Sequence, residues 1–152
     1  MAGRIHPDEL IHRLRLNRGR CFIVTGRPGE GKTRLAEQMA ARYGGRRLNL
    51  LATFAANPDL ATRVDTFTPR RCKTFLQAYA TGDLVLLGEL EFLWHTWDDI
   101  EKQEFLTILR TWGKTAFFGV FLTPDPIIDD FHMVDQDGQP RIFSVHDLQA
   151  IK

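Results

Sequence analysis

The sequence lacks the features that mark secreted, membrane-spanning or metal-binding proteins. It contains two cysteines, Cys21 and Cys72, without metal-ligand spacing, and we expect both to be free thiols of a reducing compartment. No apolar run approaches the ~20 residues that span a bilayer, and the first residues form no apolar secretion signal. The five histidines are scattered. These absences favour a cytoplasmic protein that makes no membrane contact.

Internal repeats and low-complexity segments are also missing. With 152 residues, 43% of them hydrophobic, the chain is long enough to bury one ordinary core. We therefore expect a single domain over 1–152, with an N-terminal helix within 1–18 and the core of the fold over 21–145.

Charge is balanced overall but not along the chain. The net charge is +1, yet residues 1–73 contain 15 Lys/Arg and 6 Asp/Glu, whereas residues 74–152 contain 5 and 13. The basic residues are mostly arginines, grouped at 13–20 and 70–73. This asymmetry favours a surface for DNA phosphates or for an acidic protein face. A solvated surface without a partner is the alternative, and intermixing of the halves on folding would erase the asymmetry.

One segment matches a phosphate-binding motif at every fixed position. Residues 26–33 have the pattern G-x-x-x-x-G-K-[ST], between an apolar run at 21–25 and a helix-like stretch at 34–41. The glycines let the backbone wrap around phosphate oxygens, and the N–H groups with the helix N-terminus supply positive potential. Lys32 is expected to reach the β- and γ-phosphates, and the Thr33 hydroxyl to hold Mg²⁺. The predicted nucleotide-binding residues are Gly26, Arg27, Pro28, Gly29, Glu30, Gly31, Lys32, Thr33 and Arg34. The motif predicts a nucleotide site, with ATP and Mg²⁺ as ligands; a glycine-rich turn that only caps a helix is the alternative.

A second apolar run, 84–87, is expected to be a buried strand that ends in acidic residues. ATPases with this motif usually have an Asp where this chain has Gly88. Glu89 is therefore the first candidate for positioning water or contacting Mg²⁺, and Glu91 the second. The alternative is that both glutamates are polar residues at the end of a strand without a functional role.

Thr123 ends the strongest strand signal, 115–122. If that strand neighbours the acidic one, Thr123 is expected to lie beside the phosphate loop and contact the γ-phosphate; a plain strand-end hydroxyl is the alternative. An arginine acting from a neighbouring chain would complete such a site. Arg110 and Arg141 are the arginines considered for it in the second half.

Alternating strand and helix patterns predict an α/β fold with a mostly parallel, five-stranded central sheet covered on both faces. Further helices are expected at 7–16, 58–81 and 98–112, and further strands at 47–51 and 141–145. The sequence has no Asn-Lys-x-Asp for guanine selectivity, and no arginines over 113–140 for a kinase lid. A switch GTPase and a small-molecule kinase are therefore disfavoured.

The order of these pieces resembles the AAA-like branch of the additional-strand P-loop ATPases. The segment 86–93 is similar to the Leu-Leu-Asp-Asp-Ile-Glu-type stretch of bacterial initiator-like ATPases, with Gly88 in place of the Asp. The resemblance implies a three-layer P-loop NTPase fold. Because the chain stops soon after the fifth predicted strand, we expect no C-terminal lid domain.

The length, the opening at 4–10 and the segment 24–33 resemble the small P-loop proteins of BREX phage-defence systems, the BrxF family. This resemblance implies a bacterial defence complex with larger proteins, including a DNA methyltransferase and other ATPases. Three functions stay open: a weak or partner-stimulated ATPase, a non-hydrolysing ATP-dependent assembly switch, and a DNA-binding adaptor. Self-assembly is expected because a pocket without a lid needs a wall from another chain.

Overall fold

Five parallel strands form one sheet in the computed structural model, which describes residues 4–16, 20–79, 84–112 and 117–148, apart from the side chain at position 79. The strands are β1 (Cys21–Thr25), β2 (Arg46–Asn49), β3 (Leu84–Gly88), β4 (Phe117–Leu122) and β5 (Ile142–Ser144). Their order is β2-β3-β4-β1-β5, and every pairing is parallel. The predicted α/β class and the five-stranded sheet are confirmed.

Helices connect the strands. They are α1 (Pro7–Arg15), α2 (Lys32–Tyr43), α3 (Leu50–Ala55), α4 (Pro58–Ala61), α5 (Pro69–Tyr79), α6 (Glu91–Trp94), α7 (Asp99–Arg110) and α8 (Pro126–Asp129), with 3₁₀ turns at Val64–Thr66 and Val145–Asp147. None of the helices in the described ranges combines the length and the apolar character that crossing a membrane requires.

Each strand sends alternate side chains to opposite faces of the sheet. Because both faces are covered by helices, the central strands are almost entirely apolar. In β1, Phe22 and Val24 pack on the side of α1 and α2, whereas Cys21 and Ile23 pack on the side of α3, α5 and α7. Helices therefore cover both faces. The two cysteines are free and buried, and burial raises the pKa of the Cys72 thiol to about 12.

The strand order brings the predicted site together. β4 lies between β1 and β3 and pairs with β3, so the condition on which the position of Thr123 depended, that its strand neighbours the acidic one, is met. Because the strands are parallel, their carboxyl ends meet at one edge of the sheet. The loops after β1, β3 and β4 leave the sheet at that edge, where ligands of open α/β sheets bind.

Three elements differ most from the prediction, and the other boundaries shift by at most two residues. The second strand ends at Asn49 rather than at 51, because the Asn49 side chain accepts a hydrogen bond from the Ala52 N–H (2.9 Å) and caps α3. The helical stretch at 58–81 divides into α4, a 3₁₀ turn and α5, and Pro69 begins α5. β5 is shorter than 141–145. The ends of two predictions, 80–81 and 115–116, lie outside the described residues.

Candidate functional site

At two positions of the glycine loop (residues 26–33), the backbone has a conformation that glycine adopts without strain and other residues rarely adopt. Gly29 and Gly31 have φ angles of 85° and 101°, in the left-handed region. A Cβ on Gly26 would lie 2.8 Å from Cγ of Lys32 and 3.0 Å from a methyl group of Val145. Glycine at position 26 thus allows the Lys32 stem to lie against the end of β1.

The N-terminus of α2 opens into this loop. The helix begins at Lys32, and Gly31 precedes it without a side-chain cap. The first N–H groups of a helix have no intrahelical acceptor, and they carry the positive end of the helix dipole. Arg27, Thr33 and Arg34 are exposed and line the open cleft over the loop, so the segment is accessible to a ligand. An anion of phosphate size fits such donors.

Lys32, the first residue of α2, contacts the segments that follow β4 and β3. Its Nζ lies 3.4 Å from Oγ1 of Thr123, which follows β4, and 3.5 Å from Oε1 of Glu91, which begins α6. The Thr123 hydroxyl lies 3.4 Å from the same Glu91 oxygen. The structure therefore places the predicted Lys32 and Thr123 beside each other, as the sequence reasoning expected.

Glu91, the second candidate of the sequence analysis, is the carboxylate that contacts Lys32. Its other oxygen, Oε2, is buried and has no hydrogen-bond partner among the described residues. Glu89, the first candidate, lines the same cleft but is exposed, and its φ of 55° lies in the left-handed region. A non-glycine residue with such a φ is uncommon and concentrates at functional sites.

Gly88 leaves open space where a carboxylate is usual. A Cβ at this position would meet no atom within 4 Å, and its φ is not in the left-handed region. The backbone therefore accepts a side chain at position 88. Glycine is a chemical departure here rather than a steric requirement.

Glu30 is tied to the chain that follows β5. Its carboxylate accepts a hydrogen bond from the Arg27 N–H and lies 2.7 Å from Nε2 of His146. The contact with His146, followed by the one with Arg27, lowers the pKa of Glu30 below its ordinary value. This pairing holds one acidic group of the glycine loop against β5's end.

Mg²⁺ is the metal that the motif implies, and the residues at this edge fit it. Mg²⁺ sites in nucleotide-binding proteins typically use one or two protein oxygens, with phosphates and water completing the octahedron. The Thr33 hydroxyl, Glu89 and Glu91 line one cleft, and the unpartnered Oε2 of Glu91 is a buried acceptor in need of a donor or a cation. A cage of three or more acidic, Cys or His side chains is not found in the described ranges.

The two arginines considered for a neighbouring site have contacts within their own chain. Arg141 is 4% exposed and donates to the carbonyls of Cys21, Val134 and Arg110, at the amino-terminal edge of the sheet. Burial lowers the pKa of Arg141. Arg110 lies over the Phe131 ring, 4.9 Å from its centre. Of the two arginines considered, Arg141 does not suit a role on another chain, because its guanidinium is buried against these carbonyls.

Sequence reasoning missed Asn49 and His146. Asn49 pairs in register with Gly88 and lines the cleft beside Thr33. A polar residue at the end of a strand would have indicated Asn49. The predicted strand continued to 51, however, so Asn49 was placed in its interior. His146 had no local signal, since its partner Glu30 is 116 positions away.

Comparison of the chain with protein-family models, curated proteins and solved structures finds no match. The functional argument therefore rests on the site itself.

Proposed function

We propose that this chain is a P-loop protein that binds ATP with Mg²⁺ and hydrolyses it slowly. The observation that carries the proposal is the glycine loop: two left-handed glycines, an uncapped helix N-terminus and the Lys32 ammonium converge on one accessible cleft. Backbone donors and a lysine in this arrangement suit a polyphosphate rather than an uncharged ligand. ATP is the nucleotide proposed because the sequence has no guanine-selective motif.

The sheet supports assignment to the three-layer P-loop NTPases of the additional-strand branch. One strand, β4, separates β1 from the acidic strand β3, and helices cover both faces. This arrangement gives each of the three strand ends one part of the site: the loop, the carboxylates and Thr123.

The residues have separable roles in this proposal. The N–H groups of the glycine loop and Lys32 bind the phosphates, and the Thr33 hydroxyl with Glu89 or Glu91 would hold Mg²⁺, whose charge would offset the negative charge of the transferring phosphoryl group. A glutamate accepts a hydrogen bond from the attacking water. The water oxygen then bonds to the γ-phosphorus while the bond to the bridging oxygen breaks, and ADP leaves with that bond's electron pair. One water proton stays on the attacking oxygen and the other passes to a phosphate oxygen, which gives phosphate.

Glu91 is the glutamate that best fits the water-positioning role. Its Oε1 lies 3.5 Å from the lysine nitrogen that would contact the γ-phosphate, and its buried Oε2 has no partner within the described part of the chain. A water between Oε2 and the γ-phosphate would satisfy that oxygen. Lys32 has three N–H donors, so it is able to bind a phosphate oxygen while keeping or exchanging its present acceptors.

A non-hydrolysing assembly switch is the second candidate. Gly88 supplies no metal carboxylate, and Glu89 is exposed with a left-handed backbone. Both features weaken turnover more than binding. In this version, ATP occupancy alone changes which proteins the chain contacts.

Participation in a bacterial phage-defence complex is proposed from the resemblance to the BREX proteins alone. It is compatible with either candidate, because such a complex would supply partners that stimulate hydrolysis or respond to bound ATP. A DNA-binding adaptor role, proposed from the basic first half, belongs to the same context.

Titration of the purified chain with a fluorescent ATP analogue and Mg²⁺ tests the proposal. Parent protein is expected to bind saturably, and Lys32→Ala to lose on the order of tenfold to a hundredfold in affinity, because a charge-assisted contact to phosphate is removed. Lys73→Ala, on α5, is the matched control and is expected to bind like the parent. Absence of binding by the parent, or equal binding by Lys32→Ala, contradicts the proposal.

Phosphate release, measured with and without DNA, separates the two candidates. Slow release that rises with DNA or another partner supports the ATPase. Saturable binding without any release supports the switch.

A further inference from the structure

The segment from α4 to α5 forms an arginine groove with an apolar floor. Three arginines line its rim and three apolar side chains its floor: Arg63, Arg70 and Arg71, and Leu60, Phe67 and Phe75. All three arginines are exposed. Arg71 donates to the Thr66 carbonyl (3.3 Å), and no carboxylate in the described ranges pairs with Arg63 or Arg70.

Charge pairing within the chain is thus incomplete. Arg13 with Asp135 and Lys32 with Glu91 are ion pairs that join the basic and acidic halves. The arginine groove remains a basic surface after folding. Its guanidinium groups are therefore available to a carboxylate or phosphate from outside the molecule.

The first turns of α7 carry an acidic knob, made of Asp99, Ile100 and Glu104. Ile100 is 77% exposed, more than any other large hydrophobic side chain in the described ranges. Glu104 lies one turn further on the same helix face. Helix capping explains the adjacent Asp98 and Glu101, which form a capping box, but it gives no reason for an exposed isoleucine between acidic residues.

We propose that the arginine groove binds the acidic knob of a second copy of this chain. The knob offers an aliphatic side chain between carboxylates, and the groove offers an apolar floor below guanidinium groups. The aliphatic side chain would pack on the floor while the carboxylates pair with the guanidinium groups. Because the knob and the groove are different surfaces, the contact is reciprocated in a two-fold dimer or continues into a longer assembly. This contact does not depend on the proposed nucleotide site.

A nucleic acid fits the groove less well. Its phosphates would pair with the arginines, but one ring of the floor is buried and the other is only partly exposed, which leaves little ring face for base stacking. Phe67 is 7% exposed, and Phe67 and Phe75 contact each other edge to face at 6.0 Å. An aliphatic side chain packs against such ring edges, whereas a base needs a ring face.

Sedimentation velocity over a concentration series tests the proposal with the full chain. The parent is expected to associate at low salt and to dissociate near ~1 M salt, where the Debye length falls to about 3 Å. Ile100→Ala and Arg70→Glu are each expected to weaken association by about tenfold or more. Arg70→Glu combined with Glu104→Arg is expected to recover most of the loss.

Matched controls lie at the end of α1, on the opposite face of the sheet. Leu16→Ala removes another exposed aliphatic side chain, and Arg15→Glu reverses another exposed arginine; both are expected to associate like the parent. Circular dichroism establishes that each variant is folded.

Three results would overturn the proposal. The first is a parent that stays monomeric at every concentration, and the second is association that Arg70→Glu and Ile100→Ala leave unchanged. The third is a monomeric parent that binds a fluorescent oligonucleotide in a manner abolished by Arg70→Glu, because the groove would then serve nucleic acid.

Discussion

The glycine loop and the carboxyl end of β3 face one cleft, yet they follow the motif to different degrees. In the loop, three glycines have a steric or conformational reason: Gly26 lies against Lys32, and Gly29 and Gly31 have left-handed φ angles. At the end of β3, Gly88 has neither reason. The loop follows the motif at every fixed position, whereas the end of β3 has no carboxylate at position 88 and is followed by the exposed Glu89 with its left-handed φ.

This difference separates binding from turnover. Phosphate binding needs the backbone donors and Lys32, all of which are in place. Hydrolysis also needs an oriented water and compensation of developing charge. Glu91 is the group beside Lys32 that offers a buried, unpartnered oxygen for this purpose. Variants at the two ends of the cleft are therefore expected to affect different measured quantities.

The largest effect is expected at Glu91. Glu91→Gln should lower the turnover number by about a hundredfold, since general-base or water-positioning groups typically contribute that much or more. Its affinity for ATP measured without Mg²⁺ should not weaken, because the neutral amide no longer competes with the phosphates for Lys32. Steady-state phosphate release and equilibrium titration measure the two quantities on the same preparation.

Glu89→Gln is the matched comparison for that result. It removes the same charge from an exposed side chain two residues away, and turnover is expected to fall less than in Glu91→Gln, because no ion pair of Glu89 with Lys32 is found among the described residues. A large loss at Glu89 with none at Glu91 would restore the first candidate of the sequence analysis.

Gly26→Ala is expected to have the next largest effect, on binding. The new methyl group would lie 2.8 Å from Cγ of Lys32, so the lysine must move, and ATP affinity should fall by about tenfold, since 1.4 kcal/mol of lost contact suffices. Gly88→Ala, at a position with free space, is the control and should bind like the parent. Equal binding by both variants would show that the close approach at Gly26 has no role.

The sequence was sufficient for the features that depend on local pattern. Apolar runs located β1, β3 and the described part of β4, and the motif located Lys32 at the start of α2. The sequence placed Thr123 beside the loop only on the condition that its strand neighbours β3; the structure meets that condition and places the Thr123 hydroxyl 3.4 Å from Nζ of Lys32. The carboxyl ends of neighbouring parallel strands are close together because of the backbone arrangement, so residues at these ends are close together irrespective of the other side chains.

The sequence was insufficient where tertiary contacts decide. Which of the two glutamates contacts Lys32 is one such feature: Glu89 is exposed with a left-handed φ, whereas Oε1 of Glu91 lies 3.5 Å from the lysine Nζ. Arg141 appears in the sequence as one more basic residue, although three carbonyls enclose it. No periodicity or motif in the sequence predicts the contact of Glu91 with Lys32 or the burial of Arg141.

Gly88→Asp would add the carboxylate that the end of β3 lacks, so that this end of the cleft would follow the motif more closely. Open space surrounds position 88, and Asn49 is its neighbour in register on β2. The added carboxylate is expected to raise Mg²⁺-dependent turnover several-fold, because acidic ligands at this edge help to hold Mg²⁺ beside the phosphates. Turnover as a function of Mg²⁺ concentration measures it. A parent that already hydrolyses ATP efficiently, with no gain in the variant, would show that the remaining glutamates suffice.

The smallest effect concerns the tie between Glu30 and His146. The pKa of Glu30 lies below its ordinary value of 4.5, chiefly because of His146, so this contact stabilises the folded loop above about pH 4.5 and is lost as the pH falls through the lowered pKa. In His146→Ala, an NMR titration of the Glu30 carboxyl carbon should give a pKa closer to 4.5, while His12→Ala, on α1, should leave it at the parent value. Nucleotide affinity at neutral pH should change little, since the loop glycines and Lys32 are untouched. If the Glu30 pKa is the same in all three proteins, then the Arg27 N–H alone holds this carboxylate, and the loop is organised without help from the chain after β5.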